Sequence, residues 1–251
     1  NDLGSKENLL YLLKYDSVYG RYDKEPEGIA FLQERDPAQL PWRDLDVDIV
    51  VESTGVFTPY EKAKAHLDAG AKRVVISAPA DDATDTVLVG VNDDKFASAK
   101  PITCNASCTT NSVAPVLTIL QEKFGIEKAG MITAHGYTAS QNLVDGSNDH
   151  DMRRGRAAAI NIVPSTTGAA KAVVQSLPIL EGKFDAVALR VPTITGSLSV
   201  VTALLEKETD VEYINSIFEN AAQEDRWAKV LKVTSDPIVS SKESRALAAI
   251  G

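Results

Sequence analysis

Residues 105–111, Asn-Ala-Ser-Cys-Thr-Thr-Asn, put a thiol where a helix is expected to begin. Before them, residues 100–104 read as a short buried strand. After them, Val113, Val116, Leu117, Leu120 and Phe124 recur at helical spacing and Gly125 closes the run. Cys108 is therefore expected among unpaired backbone N–H groups at the positive end of a helix dipole, a place that favours the reactive thiolate. Pro115 falls inside that helix, where a proline removes one hydrogen bond and bends the axis. His135, at the end of an apolar run over 131–134, is the candidate base. An imidazole and a helix N-terminus together lower a thiol pKa to ~3.5–7.5. Spacing alone leaves a second reading open: a small buried cysteine and a hydrogen-bonded histidine at a strand end.

Anion binding has several candidates. Residues 165–168, Ser-Thr-Thr-Gly, lead into a helix and offer hydroxyls and backbone N–H groups, although a plain N-cap looks the same. Arg153, Arg154 and Arg156 form a basic cluster in an acidic chain, open either to an anion or to pairing with carboxylates or a partner subunit. Arg190 ends an apolar strand, where a cation is costly unless paired. Asp2 follows the expected end of a strand and suits a ribose diol, or simply a turn; no glycine-rich motif precedes it here. Cys104 and Cys108 are four apart, but none of His66, His135 and His150 completes a ligand spacing, so no metal is expected.

These residues need elements to position them. Residues 1–20 read as a turn followed by a helix carrying Leu9, Leu10, Leu12 and Leu13. The charged, proline-broken stretch 21–46 reads as loops with a short strand at 29–32. Residues 46–52 are a nearly continuous apolar run, the pattern of a strand buried on both faces. A helix at 60–69 and a strand at 73–77 complete a strand–helix–strand unit, with 87–91 and 102–104 extending a parallel sheet. Ligands gather at the carboxyl ends of such strands, where Thr54, Ser77 and Cys108 fall. Beyond the Cys108 helix, strict alternation stops. A strand at 131–135, a polar stretch at 140–156, a helix from 167 to 174, strands at 186–191 and 198–205 joined as a hairpin, and a helix at 211–222 suggest an α+β unit. The chain thus reads as an α/β Rossmann-like dinucleotide-binding domain over 1–106, partial, and an α+β catalytic domain with a mixed or antiparallel sheet over 107–251.

The 251 residues suffice for one large domain or two moderate ones. A net charge of −9 argues against nucleic acid or an anionic membrane as partner. No apolar run reaches membrane-spanning length, and two cysteines exclude a disulfide framework, which points to a reducing, cytoplasmic setting.

The run ASCTTN at 106–111 resembles the active-site signature of phosphorylating glyceraldehyde-3-phosphate dehydrogenases. The resemblance extends through NDL from Asn1, LLKYDSVYG from Leu12, ERDP from Glu34, VDIVVESTGVF from Val47, AGAKRVVISAP from Ala69, RRGRAAAINIVPSTTGAAKAV from Arg153 and RVP from Arg190. It implies that Cys108 attacks an aldehyde carbon, that His135 activates the thiol and takes the hydroxyl proton, and that phosphate cleaves the resulting thioester. It further implies that Thr138 and Arg190 hold the substrate's own phosphate, and that Ser107, Thr109, Arg154, Thr167 and Gly168 line mainly the attacking phosphate's site. Asp2, Arg35, Thr54, Gly55 and Ser77 would contact NAD. Glyceraldehyde 3-phosphate and inorganic phosphate are the implied partners, and a homotetramer the implied assembly, with the arginine-rich loop between subunits.

Relative to that family, the chain is expected to be either incomplete or a divergent member with deletions: the glycine-rich strand and turn before Asn1 and the closing C-terminal portion are missing, and residues 242–251 do not align. On that reading these residues alone hold NAD poorly. Ser147 stands where NAD-specific members commonly carry proline, which leaves NADP open, while Asp2 opposes a 2′-phosphate by charge. The rival readings are an erythrose-4-phosphate dehydrogenase that hydrolyses the thioester, a fold-retaining protein without activity, and a thiol hydrolase independent of nicotinamide.

Overall fold

A computed structural model describes residues 1–24, 26–149, 151–165 and 167–240 and the backbone of the strand at 248–249. His150, Thr166 and most of the segment after Ser240 lie outside the described residues. Helix α1 (Lys6–Lys14) begins at Ser5, whose hydroxyl accepts the Asn8 N–H in place of the missing helical partner. Strands β1 (Tyr15–Asp16) and β2 (Gly20–Arg21) pair antiparallel around the Asp16 carboxylate, which accepts the N–H groups of Val18 and Tyr19. Residues 29–32 do not form the expected strand. Leu32 C=O accepts the Asp2 N–H, and the Asn1 side chain brackets the Glu34 backbone, so the segment is tied to the first two residues rather than to a sheet.

Strand β3 (Ile49–Glu52), helix α2 (Tyr60–Asp68), strand β4 (Arg73–Ile76), strand β5 (Asp85–Thr86) and strand β6 (Ile102–Cys104) build a parallel sheet in the order β3-β4-β6-β5. Two details depart from the pattern reading. The apolar run places β3 in the sheet but not between two layers: Val50 and Glu52 are buried, while Ile49 and Val51 are 57% and 63% exposed. As the edge of this sheet, β3 packs one face against the core and leaves the other uncovered. The strand expected at 87–91 ends after Thr86, because Asn92 Oδ1 takes the Leu88 N–H and Asn92 Nδ2 donates to Thr86 O, folding the chain into a turn.

Helix α3 (Cys108–Phe124) follows, and it continues through Pro115. Its buried Val113, Leu117, Ile119, Leu120 and Phe124 anchor the larger of two hydrophobic clusters. Each such side chain contributes about 1.5–3 kcal/mol, so the rotation of α3 about its axis, and hence the direction of Cys108, is set by the core rather than by the first turn. Strand β7 (Ile126–Gly136), strand β8 (Val163–Ser165), helix α4 (Ala169–Ser176), strand β9 (Phe184–Val191), strand β10 (Ser197–Leu205) and helix α5 (Val211–Ala221) complete this part, with the mixed sheet ordered β10-β7-β9-β8. Strands β9 and β10 are not a hairpin. The longer β7 lies between them, parallel to β9 and antiparallel to β10, and each takes one of its two edges. Strand β11 (Val233–Thr234) pairs parallel with β12 (Ala248–Ala249). Among the described residues no helix is long and apolar enough to cross a membrane.

Candidate active site

The turn before α3 sets the thiol. Asn105 N–H still belongs to the sheet, donating to Ile76 O. Ala106, buried, then takes φ 57°, in the left-handed region that a side chain rarely adopts. Ser107 returns to extended backbone as the N-cap, its Oγ accepting from Thr110 N. Cys108 is thereby the first helical residue, exposed at the edge of a cleft of ≈ 230 Å³. Cys104 stays buried 3.3 Å from Thr86 Oγ1, within the smaller cluster, as a structural thiol.

Cys108 Sγ lies 3.3 Å from His135 Nε2. His135 reaches this place because β7 carries it near its carboxyl end, on the same face as buried Met131 and Thr133. The His135 hydrogen bond holds the Cys108 thiol down at about 7; burial opposes this, and the charge of His135 and the contacts with Thr109 add to the lowering. His135 is correspondingly raised by its bond to Cys108 and by Gly136 O, against burial and the nearby Arg190 cation. The pair therefore shares one proton near neutrality, which is what a thiol nucleophile with its base requires.

Ser107, Thr109, Arg154, Thr167, Gly168, Ala188 and Arg190 line the rest of the cleft. Arg190 is the register partner of His135 across β7 and β9. Its guanidinium is pulled down by burial and by the Arg154 cation. Among the described residues neither Arg154 nor Arg190 forms an ion pair with a carboxylate, whereas Arg153 pairs with Asp151 and Arg156 with Asp145. The basic cluster thus divides: two arginines are tied to acids, while Arg154 faces the cleft and donates to Ser165 Oγ. Thr167 Oγ1 accepts the Ala169 N–H at the start of α4, which makes it a cap and a cleft wall at once. Two cations with hydroxyls and a helix start between them are the donor types that a dianion requires.

The remaining expected residues lie elsewhere. Thr138 is exposed beyond β7, its hydroxyl 3.0 Å from Ser140 Oγ, and does not line the cleft. Thr54, Gly55 and Ser77 sit exposed at the carboxyl ends of β3 and β4, where Ser77 Oγ donates to Ser53 Oγ and Ser77 N–H to Glu52 O. Gly55 has φ +75° with open space where a Cβ would stand. A cofactor's sugar and phosphates can approach this bare backbone, and the hydroxyls beside it suit them, so the residues present fit a dinucleotide. Asp2 and Arg35 are exposed on the paired segments 1–4 and 32–36, with Asp2 Oδ1 accepting the Gly4 N–H. Another hollow, of ≈ 250 Å³ between α1 and Tyr22, Lys24 and Pro26, is lined by no cysteine or histidine. Sequence reasoning missed Ala188 and the Gly136 carbonyl, since an alanine and a main-chain oxygen carry no chemical signal until the strands pair.

A family model described as glyceraldehyde 3-phosphate dehydrogenase, C-terminal domain, matches residues 107–246. One described as glyceraldehyde 3-phosphate dehydrogenase, NAD binding domain, matches residues 1–60. The chain is similar to the glyceraldehyde-3-phosphate dehydrogenase of Mycobacterium avium, 52% identical over 254 residues that cover 96% of this chain and 74% of the relative. It is 49% identical to that of Mycobacterium leprae with the same coverage, and 46% identical to that of Streptomyces coelicolor over 96% of this chain and 75% of the relative.

Proposed function

The chain belongs to the glyceraldehyde-3-phosphate dehydrogenase family, and from that premise we propose Cys108 as its nucleophile and His135 as its base. The protein is an NAD-dependent phosphorylating dehydrogenase that converts D-glyceraldehyde 3-phosphate and inorganic phosphate to 1,3-bisphosphoglycerate in glycolysis. The observation that carries the assignment of roles is the 3.3 Å contact between Cys108 Sγ and His135 Nε2 within a cleft holding two arginines that have no carboxylate partner among the described residues.

His135 Nε2 takes the thiol proton, Sγ attacks the aldehyde carbon, and the imidazolium returns that proton to the aldehyde oxygen to give a thiohemiacetal. NAD, when bound, supplies the acceptor for the hydride that leaves that carbon. His135 takes the hydroxyl proton as the carbonyl re-forms, leaving a thioester on Cys108. An oxygen of inorganic phosphate then adds to the thioester carbon, the C–S bond breaks, and Sγ departs as the thiolate with the acyl phosphate released. Arg190 and Arg154 hold phosphate groups in this scheme, with Ser107, Thr109, Thr167 and Gly168 as hydroxyl and N–H donors. Thr138 would join Arg190 on the substrate's own phosphate. Asp2, Arg35, Thr54, Gly55 and Ser77 would hold the dinucleotide. NADP is accepted less well because the Asp2 carboxylate repels a 2′-phosphate.

We place the domain boundary at 106/107, between the cofactor-binding part at 1–106 and the catalytic part at 107–251. The two separate hydrophobic clusters support it, although Leu88 and Ala106 join the larger one. A homotetramer is the assembly we propose. It is supported by Ile132, Val187 and Val200, which stand in register across β9, β7 and β10 and are all more than half exposed. Light scattering checks this, and a monomer at assay concentration contradicts it. A reactive thiol is kept reduced in a cytoplasmic setting, the location we propose. The function itself is tested by measuring NADH formation from glyceraldehyde 3-phosphate with and without inorganic phosphate. Phosphate-dependent turnover is expected, and phosphate-independent release of the free acid would instead identify a hydrolysing dehydrogenase.

A further inference from the structure

Asn111 is exposed one turn into α3, but its side chain points back to the turn that precedes the helix. Asn111 Nδ2 donates to Asn105 O at 2.6 Å and to Ser107 O at 2.9 Å. Those two carbonyls flank Ala106, the buried residue at φ 57°. Only one other described non-glycine residue, Asp46, has a positive φ. An alanine in the left-handed region stays there only if its surroundings hold it, and one amide with two N–H donors spans both sides of this one. We infer that Asn111 is a positioning residue: by bridging the carbonyls of Asn105 and Ser107, it holds Ala106 in the left-handed turn that presents Cys108 to His135.

The geometry explains why this residue type is needed. The bridge requires two hydrogens on one short planar group, which aspartate, serine and alanine lack. A glutamine adds a methylene and cannot reach both oxygens from the same Cα. Relaxation of Ala106 to an ordinary φ would turn the following peptide, release Ser107 from Thr110 N and swing Cys108 away from His135. The inference deepens the proposed role of Cys108 and rests on it.

The test reads the pH dependence of Cys108 alkylation by iodoacetamide in the full chain, a measurement that needs no cofactor or turnover. The titratable and charged groups facing Cys108 are His135 on β7, Arg190 on β9 and Arg154 in the loop before β8, and all variants retain them. In Asn111→Ala and Asn111→Ser the midpoint is expected to rise from about 7 to ~8 or above, with labelling at pH 7 ~5-fold slower or more. Glycine adopts a positive φ without strain, so Ala106→Gly alone should keep the midpoint of the parent. Combined as Ala106→Gly/Asn111→Ala, it should recover most of what Asn111→Ala lost. Circular dichroism of each variant checks folding; should Asn111→Ala not fold, Asn111→Ser, neutral and polar at an exposed position, gives the same reading. Unchanged midpoints in both Asn111 variants overturn the inference, as does a double variant no faster than Asn111→Ala. A parent protein whose Cys108 labels slowly, with a midpoint near that of a free thiol, instead overturns the assignment of Cys108 on which the inference rests.

Discussion

Arg190 Nη1 lies 2.9 Å from His135 Nδ1, and both groups converge on the carbonyl oxygen of Gly136, at 3.1 Å and 2.7 Å respectively. A guanidinium can only donate. The shorter contact assigns the Nδ1 proton to Gly136 O, and Arg190 has the same oxygen as its own acceptor. Nε2 is then left with its lone pair toward Cys108 Sγ, the tautomer a general base needs. The Arg190 cation also restrains protonation of the imidazole, while the thiolate promotes it.

Loss of the base should be visible in the thiol. In His135→Asn the midpoint for iodoacetamide labelling of Cys108 should move from about 7 toward ~8.5, slowing labelling at pH 7 by ~15-fold. Buried Cys104 should stay unlabelled in both proteins. Equal midpoints, read by mass spectrometry of the two cysteine peptides, would contradict the coupling.

Removing the neighbouring cation should act in the opposite direction on the imidazole. In Arg190→Gln, the His135 ring resonance followed by NMR should titrate at higher pH than in the parent, because the charge that opposes the imidazolium is gone. An unchanged or lower titration would contradict a restraint by Arg190 on the imidazolium.

The arginine of the basic cluster that has no carboxylate partner among the described residues should matter for phosphate, and its paired neighbours should not. Arg154→Leu should raise the phosphate concentration for half-maximal turnover ~10–100-fold, the loss of a charge-assisted hydrogen bond of about 1.5–3 kcal/mol. Arg153→Leu, whose guanidinium is already held by Asp151, should change it less than threefold. Similar effects of the two, measured in steady-state kinetics, would remove Arg154 from the site.

A buried relay beneath the cofactor strands makes a stability prediction. Trp42 Nε1 donates to His66 Nδ1 at 3.1 Å, which fixes the ring hydrogen on Nε2, 3.0 Å from Glu52 Oε2. Burial works to raise the Glu52 carboxyl, but hydrogen bonds from Thr54 and His66 outweigh it and hold the group below its ordinary value. A depressed carboxyl stabilises the fold fully above its unfolded pKa of ~4.3, and that stabilisation is lost as pH falls through the lower folded value. His66→Leu should cost ~2–5 kcal/mol at pH 7 by urea unfolding, since it strands a buried carboxylate. Glu52→Gln should flatten the acid limb of the stability curve, and an unaltered limb would exclude Glu52 as its source.

Much was legible in the chain itself because local physics writes it there. The helical spacing from Val113 to Phe124, with Ser107 before it, fixes α3 and puts Cys108 at its first position. The segments at 49–52, 73–76 and 102–104 carry β-branched runs that read as parallel strands. Residue types and order also named the thiol, the histidine and the arginines. What the chain could not disclose is which strand lies beside which. Side-chain patterns favour extended backbone without naming its neighbour, so residues 186–191 and 198–205 read as a hairpin until β7 is seen to take both edges. That arrangement alone sets Arg190 against His135. The left-handed turn at Ala106 was equally invisible, because alanine gives no sign of a positive φ. Only the folded chain, with Asn111 reaching back over the turn and the core fixing the rotation of α3, decides that the thiol faces its base.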